Sequence, residues 1–203
     1  DSIYLLNRGQ QMYRVEADSL PLHANVTGLP TNAELQLTGS LPSSGQPVFY
    51  ALENSTNVYK STDGGQNWAM QGSTPDEAWQ VGMICSPFDP NQLLMGAVNC
   101  QRSNDGGATW ELVNDWWEYY ANTDLLHADM MDLRAFQKSD GTPFFLVANH
   151  GGLHISYDGM ETTRNIGKLG LNISQYYDVV TNPAYPEYIY AGSQDQGWQW
   201  TKS

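Results

Sequence analysis

The octapeptide STDGGQNW at residues 61–68 recurs almost unchanged as SNDGGATW at residues 103–110. Both copies follow the pattern S-x-D-x-G-x-x-W, and their aspartates, Asp63 and Asp105, lie 42 positions apart. Self-similarity at a period of about 40 to 50 residues is typical of arrays of supersecondary units that stack on one another. The repeat therefore predicts an array of similar units before any other residue is considered.

The chemistry of the motif is that of a hairpin turn. An Asp carboxylate can accept hydrogen bonds from the backbone N–H groups that follow it, and a Ser hydroxyl can add another. The second Gly supplies a positive φ, and the Trp starts the outgoing strand with its ring against the turn. A degraded third copy begins at Ser156 and Asp158, with Met160 at the second Gly position and Thr163 at the Trp position. We predict purely structural roles for Ser61, Asp63, Gly65, Trp68, Ser103, Asp105, Gly107, Trp110, Ser156 and Asp158.

A second repeat supports the first. Residues 86–96 and 182–192 share two prolines and one glycine at identical spacing, offset by 96 positions, which is two units of 48. Each segment lies between two apolar runs, so it predicts a strand, a proline-containing turn and a second strand.

The chain divides into units on this basis, and turn signals recur throughout without helical periodicity. We predict an all-β fold with the end of one unit at residues 1–29, whole units at 30–75, 76–115 and 116–168, and the start of another at 169–203. Cys85 and Cys100 fall at opposite ends of one predicted hairpin, which favours two buried thiols over a strained or rearranged disulfide.

The S-x-D-x-G-x-x-W pattern resembles the Asp-box, or BNR, repeat of sialidase-like, sortilin-like and xyloglucanase-like β-propellers. The resemblance implies four-stranded antiparallel blades with the motif at the turn between the third and fourth strands. A closed propeller of this type needs about six to eight blades. We therefore expect an incomplete arc of about four to five blades, a fragment of a larger propeller, closed by the remaining blades of the same protein or by another segment.

Composition excludes several classes of partner. The chain has 22 acidic and 9 basic residues, for a net charge of −13. This charge argues against binding to nucleic acid or to an anionic membrane surface, and no apolar run is long enough for membrane insertion. The low Lys content with 7 Trp and 12 Tyr resembles extracellular, cell-surface or periplasmic proteins that handle carbohydrate.

The richest candidate for a binding site is the loop at residues 114–129, which carries four large aromatic side chains among several carboxylates. Aromatic faces can stack on sugar rings, and neighbouring carboxylates can bind hydroxyl groups or act as acid and base. The alternative is that these rings pack between blades. The candidate ligand-binding residues here are Trp116, Trp117, Tyr119, Tyr120 and His127.

Other segments resemble those of the family. His127-Ala128-Asp129 is similar to the H-[AV]-D-x-H segment of Asp-box propellers, with Met131 replacing the last His, and a structural His–Asp pair is the alternative interpretation. Residues 149–156 resemble its N-D-G-G segment, with His150 in place of Asp, while residues 170–177 and 192–197 resemble two further segments, the last with Gln196 for Asn. The resemblance places Asp129 and Asp195 as candidate catalytic residues and His150 and Gln194 as ligand-binding residues. A propeller scaffold hosts many activities, so these segments indicate architecture more than function.

Two functions from different classes follow. The first is a secreted or cell-surface propeller that binds, and in one version hydrolyses, a glycan at the channel-side loops, as a glycoside hydrolase acting on a polysaccharide such as a β-glucan. The second is a protein-binding, sortilin-like propeller or a scaffold component of a surface or secretion assembly, in which the same aromatic loop contacts protein. No ligand spacing matches a metal site, and we predict no metal and no cofactor.

Overall fold

Five antiparallel sheets follow one another along the chain in the computed structural model, which describes residues 3–79, 81–171, 175–195 and 197–202. We number the sheets 1 to 5 in chain order. Sheet 1 contains β1 (Ile3–Asn7), β2 (Gln11–Val15) and β3 (Leu22–Asn25); sheet 2 contains β4 (Leu35–Ser40), β5 (Val48–Glu53), β6 (Asn57–Ser61) and β7 (Ala69–Ser73); sheet 3 contains β8 (Met83–Cys85), β9 (Leu93–Gly96), β10 (Cys100–Ser103) and β11 (Glu111–Leu112); sheet 4 contains β12 (Asp132–Gln137), β13 (Pro143–Asn149), β14 (Gly152–Ser156) and β15 (Arg164–Asn165); sheet 5 contains β16 (Tyr176–Asn182), β17 (Tyr185–Ser193) and β18 (Gly197–Lys202).

Each strand pairs with the next strand along the chain, so every sheet is an antiparallel meander. In sheet 2, for example, the register of β4 and β5 runs from Leu35 opposite Glu53 to Ser40 opposite Val48. Sheets 2, 3 and 4 have four strands, and the sheets form an open arc of the β-propeller type. The all-β prediction is confirmed. The described residues include one short 3-10 helix at Trp116–Tyr120, inside the aromatic loop.

The repeated motif forms the turn between the third and fourth strands of sheets 2, 3 and 4. We call these segments, residues 61–68, 103–110 and 156–163, the acidic turns. In the first, Asp63 Oδ1 accepts hydrogen bonds from the backbone N–H groups of Gln66 (3.1 Å) and Asn67 (3.0 Å) and from the Ser61 hydroxyl (2.8 Å). The bonds from Asn67 and its neighbours lower the pKa of Asp63 to about 2. The carboxylate is thus fully used in holding the turn.

The acidic turns also join each sheet to the one before it. The backbone N–H of Trp68 donates to the carbonyl oxygen of Thr27, which follows sheet 1 (2.9 Å), and the N–H of Thr27 donates to Gln66 (2.8 Å). Gly107, at φ +86°, faces sheet 2 so closely that a Cβ would lie 2.8 Å from Val58 Cγ1. The second Gly of the motif is therefore required both by its backbone conformation and by its contact with the preceding sheet.

The third acidic turn keeps this conformation with Met160 at the second glycine position of the motif. Met160 has φ +70°, and its side chain is only 1% exposed. It packs among apolar side chains of sheets 3 and 4, where Gly65 and Gly107 present only backbone in the other two turns. A buried thioether replaces the close backbone approach, which explains how the degraded copy still joins its sheet to the array.

The core lies in three interfaces, one between each pair of successive sheets from 1 to 4. Examples are Met12 against Phe49 between sheets 1 and 2, Tyr50 and Leu52 against Met95 between sheets 2 and 3, and further clusters between sheets 3 and 4. The large exposed apolar side chains concentrate on the outer sheets of the arc: Ile3, Leu5 and Leu22 in sheet 1, and Tyr177, Val179, Trp198 and Trp200 in sheet 5. Burial therefore increases towards the middle of the array.

The first strands of sheets 2 and 3 lie side by side and are linked through side chains. The Gln36 carboxamide donates to Val81 O (3.2 Å) and accepts from the Met83 N–H (3.0 Å), and the Thr38 hydroxyl accepts from the Cys85 N–H (2.9 Å). This convergence of first strands is what a common axis requires. It leaves the acidic turns at the opposite, outer part of each sheet.

Both cysteines are free and buried. Burial raises the pKa of Cys85 and of Cys100 to about 12, so the two thiols are protonated members of the core.

Removing the carboxylate of an acidic turn should destabilise the fold. Asp105 accepts from the hydroxyl (2.6 Å) and N–H (2.9 Å) of Thr109, and these bonds lower its pKa from 3.8 to about 2. We expect Asp105→Ala to lower the free energy of unfolding by about 1–2 kcal/mol at pH 7. Because the pKa of Asp105 is lower in the folded than in the unfolded state, its carboxylate stabilises the fold at pH values above the unfolded pKa. The difference in unfolding free energy between Asp105→Ala and wild type should therefore vanish as the pH falls from about 4 to 2. Urea unfolding at each pH measures this, with exposed Asp18→Ala as the control; equal loss in both variants would contradict the prediction.

Met160 provides a test of packing against backbone strain. Replacing it with Gly relieves a positive φ worth about 1–2 kcal/mol but deletes a buried side chain worth about 2–5 kcal/mol. We expect Met160→Gly to lose about 2 kcal/mol in urea unfolding, and the exposed Met70→Gly on β7 to lose less. A Met160→Gly protein as stable as wild type would contradict the prediction, because it would show that packing of the side chain gains no more than the backbone strain costs.

Candidate functional site

The candidate site lies on the face opposite the acidic turns, where two kinds of loop meet. One kind joins the second and third strands of a sheet, as at residues 149–152 between β13 and β14 and 193–197 between β17 and β18. The other leads into a first strand, as at residues 113–131 before β12. A meander places these loops at the same end of each sheet, so segments far apart in the sequence line one surface.

A groove of about 890 Å³ opens between sheets 4 and 5 on this face. That size is within the usual range for small-ligand sites. Its lining combines tyrosine rings and apolar side chains with amides, one carboxylate and one ammonium group. The lining side chains include Tyr119, Met131, Asn149, His150, Leu153, Asn165, Lys168, Leu171, Gln175, Tyr176, Gln194 and Asp195.

His150 lines the groove and lies between two carboxylates. Its Nδ1 lies 2.9 Å from Asp129 Oδ2 and 2.9 Å from Asp195 Oδ2, and Gln194 Nε2 lies 3.0 Å from the same atom. A protonated Nδ1 can donate to the carboxylates, whereas only an unprotonated Nδ1 can accept from the Gln194 amide. The arrangement links the loops of sheets 4 and 5 through one nitrogen atom.

Both aspartates of this cluster have left-handed backbone conformations, with φ +66° at Asp129 and +57° at Asp195. Asp129 is held there because its N–H donates to Val98 O (2.9 Å), in the loop between β9 and β10 of sheet 3. Non-glycine residues in this region cost free energy, and such residues are concentrated at functional sites. The loops of three successive sheets thus fix the positions of the two carboxylates.

The aromatic loop supplies one ring to the groove. Tyr119 lines it and donates from its hydroxyl to Gly151 O (3.2 Å). Trp116 is half-buried, and its backbone N–H donates to Asn99 Oδ1 (3.0 Å), which ties the 3-10 helix to sheet 3. Trp117 and Tyr120 are more than half exposed and lie outside the set of groove-lining residues.

Two histidines lie beneath these rings. His127 is buried, with its ring 4.9 Å from that of Tyr119 and its Nε2 3.1 Å from the Tyr120 hydroxyl. It pairs with Tyr120, whereas Asp129 pairs with His150, so the proposed His127–Asp129 pair does not form. His154, on β14, is fully buried, and burial lowers its pKa to about 4.

The sequence-predicted residues therefore fall into two groups. Asp129, Asp195, His150, Gln194 and Tyr119 come together at the groove, while Trp116, Trp117, Tyr120 and His127 form an aromatic cluster beside it. Sequence reasoning did not select Asn165, Lys168 or Tyr176 as site residues. Tyr176 could have been selected, because it belongs to one of the segments with a family resemblance. Asn165 and Lys168 follow β14 and belong to no motif. Residues 172–174 and Gln196, which belong to the segments with a family resemblance, lie outside the described residues.

In the described ranges, no group of three or more His, Cys, Asp or Glu side chains converges as a metal site would require. Nor is any helix among those residues long and apolar enough to cross a membrane.

Comparison with known proteins supports the fold class. No model of a known protein family matches the chain, and no curated protein matches it by sequence. Among solved structures, the GH74 xyloglucanase from Xanthomonas campestris is similar with a TM-score of 0.51 and 12% identity over 99% of this chain and 35% of the enzyme. YCF48 from Cyanidioschyzon merolae gives 0.49 and 12% over 99% and 67%, and YCF48 bound to D1 peptide gives 0.42 and 11% over 98% and 78%.

At these identities the likeness shows the β-propeller fold alone. The chain spans about a third of the length of the xyloglucanase it resembles.

The buried His154 should make stability depend on pH. A lowered folded-state pKa means that the unfolded chain takes up the proton first, so the fold loses stability as pH falls from about 6.5 to about 4. We expect His154→Leu to abolish a component on the order of 3 kcal/mol of this loss. Urea midpoints of both proteins at pH 7 and 4.5 measure it, and identical pH dependence of the two would contradict it.

Proposed function

We propose that the groove between sheets 4 and 5 binds a glycan. The observation that carries this proposal is its lining, in which the half-exposed Tyr176 ring and the Tyr119 ring accompany the side-chain amides of Asn149, Gln175 and Gln194. A sugar has surfaces that match both kinds of group, because its C–H faces pack on aromatic rings and its hydroxyl groups both donate hydrogen bonds to amides and accept them. Tyr176 is held in place by its hydroxyl, which donates to Gln199 Oε1 (2.6 Å).

The charge of the groove favours a neutral glycan. Its ammonium group, on Lys168, lies 3.2 Å from Asp124 Oδ1 and is already paired, while Asp195 adds a negative charge. The chain as a whole carries a net charge of −13. An acidic glycan would be repelled by this field and would find no unpaired cation in the groove lining.

Binding is better supported than hydrolysis. Asp129 Oδ2 and Asp195 Oδ2 both lie 2.9 Å from one nitrogen, so they are no farther apart than twice that distance. That limit is below the roughly 6.5–9.5 Å of an inverting glycosidase but includes the roughly 5–5.5 Å of a retaining one, in which both carboxyl groups face the scissile bond across the space between them. Here the His150 imidazole occupies that space, and only Asp195 lines the groove. We therefore assign Asp195 to ligand binding and Asp129 to the positioning of His150.

A protein ligand is the second candidate, and Trp117 and Tyr120 favour it. Both rings are more than half exposed beside the groove, and large aromatic side chains are frequent anchors of protein interfaces. A protein bound there would cover this aromatic cluster rather than enter the groove between the two sheets.

We also propose that the sheets are Asp-box blades spanning 30–75, 76–115 and 116–168, with parts of two more at 1–29 and 169–203. Three acidic turns between third and fourth strands support this assignment. Further blades, of the same protein or another segment, would cover the exposed outer sheets. A protein of this kind would work outside the cell, at its surface or in the periplasm.

Two adjacent tyrosines provide the test. Tyr176 lines the groove, whereas Tyr177 is more exposed and does not belong to the lining. We expect Tyr176→Ala to weaken the binding of a neutral oligosaccharide at least tenfold in titration calorimetry, and Tyr177→Ala to leave it unchanged. Tetrasaccharides of β-1,4- and α-1,4-linked glucose and of galacturonic acid form the panel, and the acidic one should not bind. Equal effects of both substitutions, or no binding of any neutral glycan, would reject the proposal.

A further inference from the structure

The three junctions between sheets 2 to 5 differ on the face that carries the groove. Between sheets 3 and 4 the chain is closed by backbone hydrogen bonds, from Asp129 N to Val98 O (2.9 Å) and from Met130 N to Ala97 O (3.0 Å). Between sheets 4 and 5 lies the groove described above. Between sheets 2 and 3 lies a second cavity of about 520 Å³, so a cavity lies on either side of the closed junction.

The second cavity occupies the same place in the repeat as the groove. One wall of the cavity is the turn between the second and third strands of sheet 2, at Ser55. The corresponding turn of sheet 4, at residues 149–152, forms a wall of the groove. The other wall of the cavity is the segment that leads into the next first strand, and it carries Trp79. Trp79 is 45% exposed, and Tyr176 at the corresponding wall of the groove is 44% exposed. The repeat thus presents an aromatic ring of similar exposure at both openings.

We propose that this cavity is a second subsite for a neutral sugar, with the Trp79 indole as the stacking surface and the Glu34 carboxylate as acceptor for sugar hydroxyl groups. An indole face can pack on the C–H face of a sugar ring, and the exposed Glu34 side chain lines the same cavity, where its oxygen atoms can accept hydrogen bonds. The inference extends the proposed function to a second place on the same face, and it is tested separately from the groove.

The cavity is held in shape before any ligand binds. Gln36 bonds the backbone of Val81 and Met83, and Gly82 at φ +60° lies so close to the Gln36 carboxamide that any Cβ would overlap it. The N–H of Ala78 donates to Ser55 O (2.8 Å), and the N–H of Trp79 donates to Gly96 O (2.9 Å). The indole therefore stands on a fixed backbone, which reduces the entropy lost on binding.

The experiment monitors the indole N–H signals of the full chain by NMR during titration with the neutral tetrasaccharides. We expect the Trp79 signal, assigned from its absence in Trp79→Ala, to shift in a saturable manner. Trp79→Ala should remove this site while the Tyr176-dependent site keeps its affinity, and Glu34→Gln should weaken the Trp79 site at least threefold. Trp198→Ala, which removes an exposed indole from β18, is the matched control and should change neither site.

The failures are distinguishable. If Tyr176→Ala abolishes sugar binding while the Trp79 signal never shifts, the second subsite is rejected and the groove stands. If tetramethylammonium shifts the Trp79 signal and the sugars do not, the cavity is a cation site and the inference is wrong. If neither signal nor substitution responds to any neutral glycan, both proposals fall. Circular dichroism of each variant shows whether a loss of binding reflects a loss of fold, and a response of folded Trp79→Ala identical to wild type also rejects the subsite.

Discussion

The rest of the structure depends on the hydrogen bonds that an aspartate makes within each acidic turn. Asp63 and Asp105 each collect backbone N–H groups and a serine hydroxyl, and the resulting turn places a glycine against the preceding sheet. One local motif thus closes its own sheet and sets the distance to its neighbour. The apolar clusters between sheets 1 to 4 then fill the space that these contacts define.

The same stacking creates the openings on the other face. Between sheets 3 and 4, the segment before β12 makes two backbone hydrogen bonds to the turn at Ala97 and Val98, which closes the junction beside the aromatic loop. At the junctions on either side of it, a cavity with one half-exposed ring remains, at Trp79 and at Tyr176. The aromatic richness of the loop at 114–129 therefore serves mainly the closed junction, and the ligand-sized spaces lie on either side of it.

The electrostatic centre of the groove is the nitrogen that two carboxylates share. His150 lies within 2.9 Å of an oxygen from each of Asp129 and Asp195, and both aspartates are held at positive φ by their loops. The sequence-based hypothesis selected these carboxylates as a catalytic pair, and in the structure both lie beside the same imidazole. The imidazole between them changes what they can do, because it takes the position that a water molecule or glycosidic oxygen would need.

The sequence by itself determined the all-β class and the three acidic turns, because every hydrogen bond that forms such a turn lies within eight residues of the chain. Met160 shows the limit of that rule, since its fit in the third turn depends on side chains of another sheet. Only the tertiary structure decided that His150 contacts Asp195 and that His127 pairs with the Tyr120 hydroxyl. The same holds for Asn165 and Lys168, which line the groove. His150 and Asp195 lie 45 positions apart, and Asn165 and Lys168 belong to no motif. His127 and Tyr120 are only seven positions apart, but they meet in a loop that is held by hydrogen bonds to sheet 3, so its course is set by how neighbouring sheets stack.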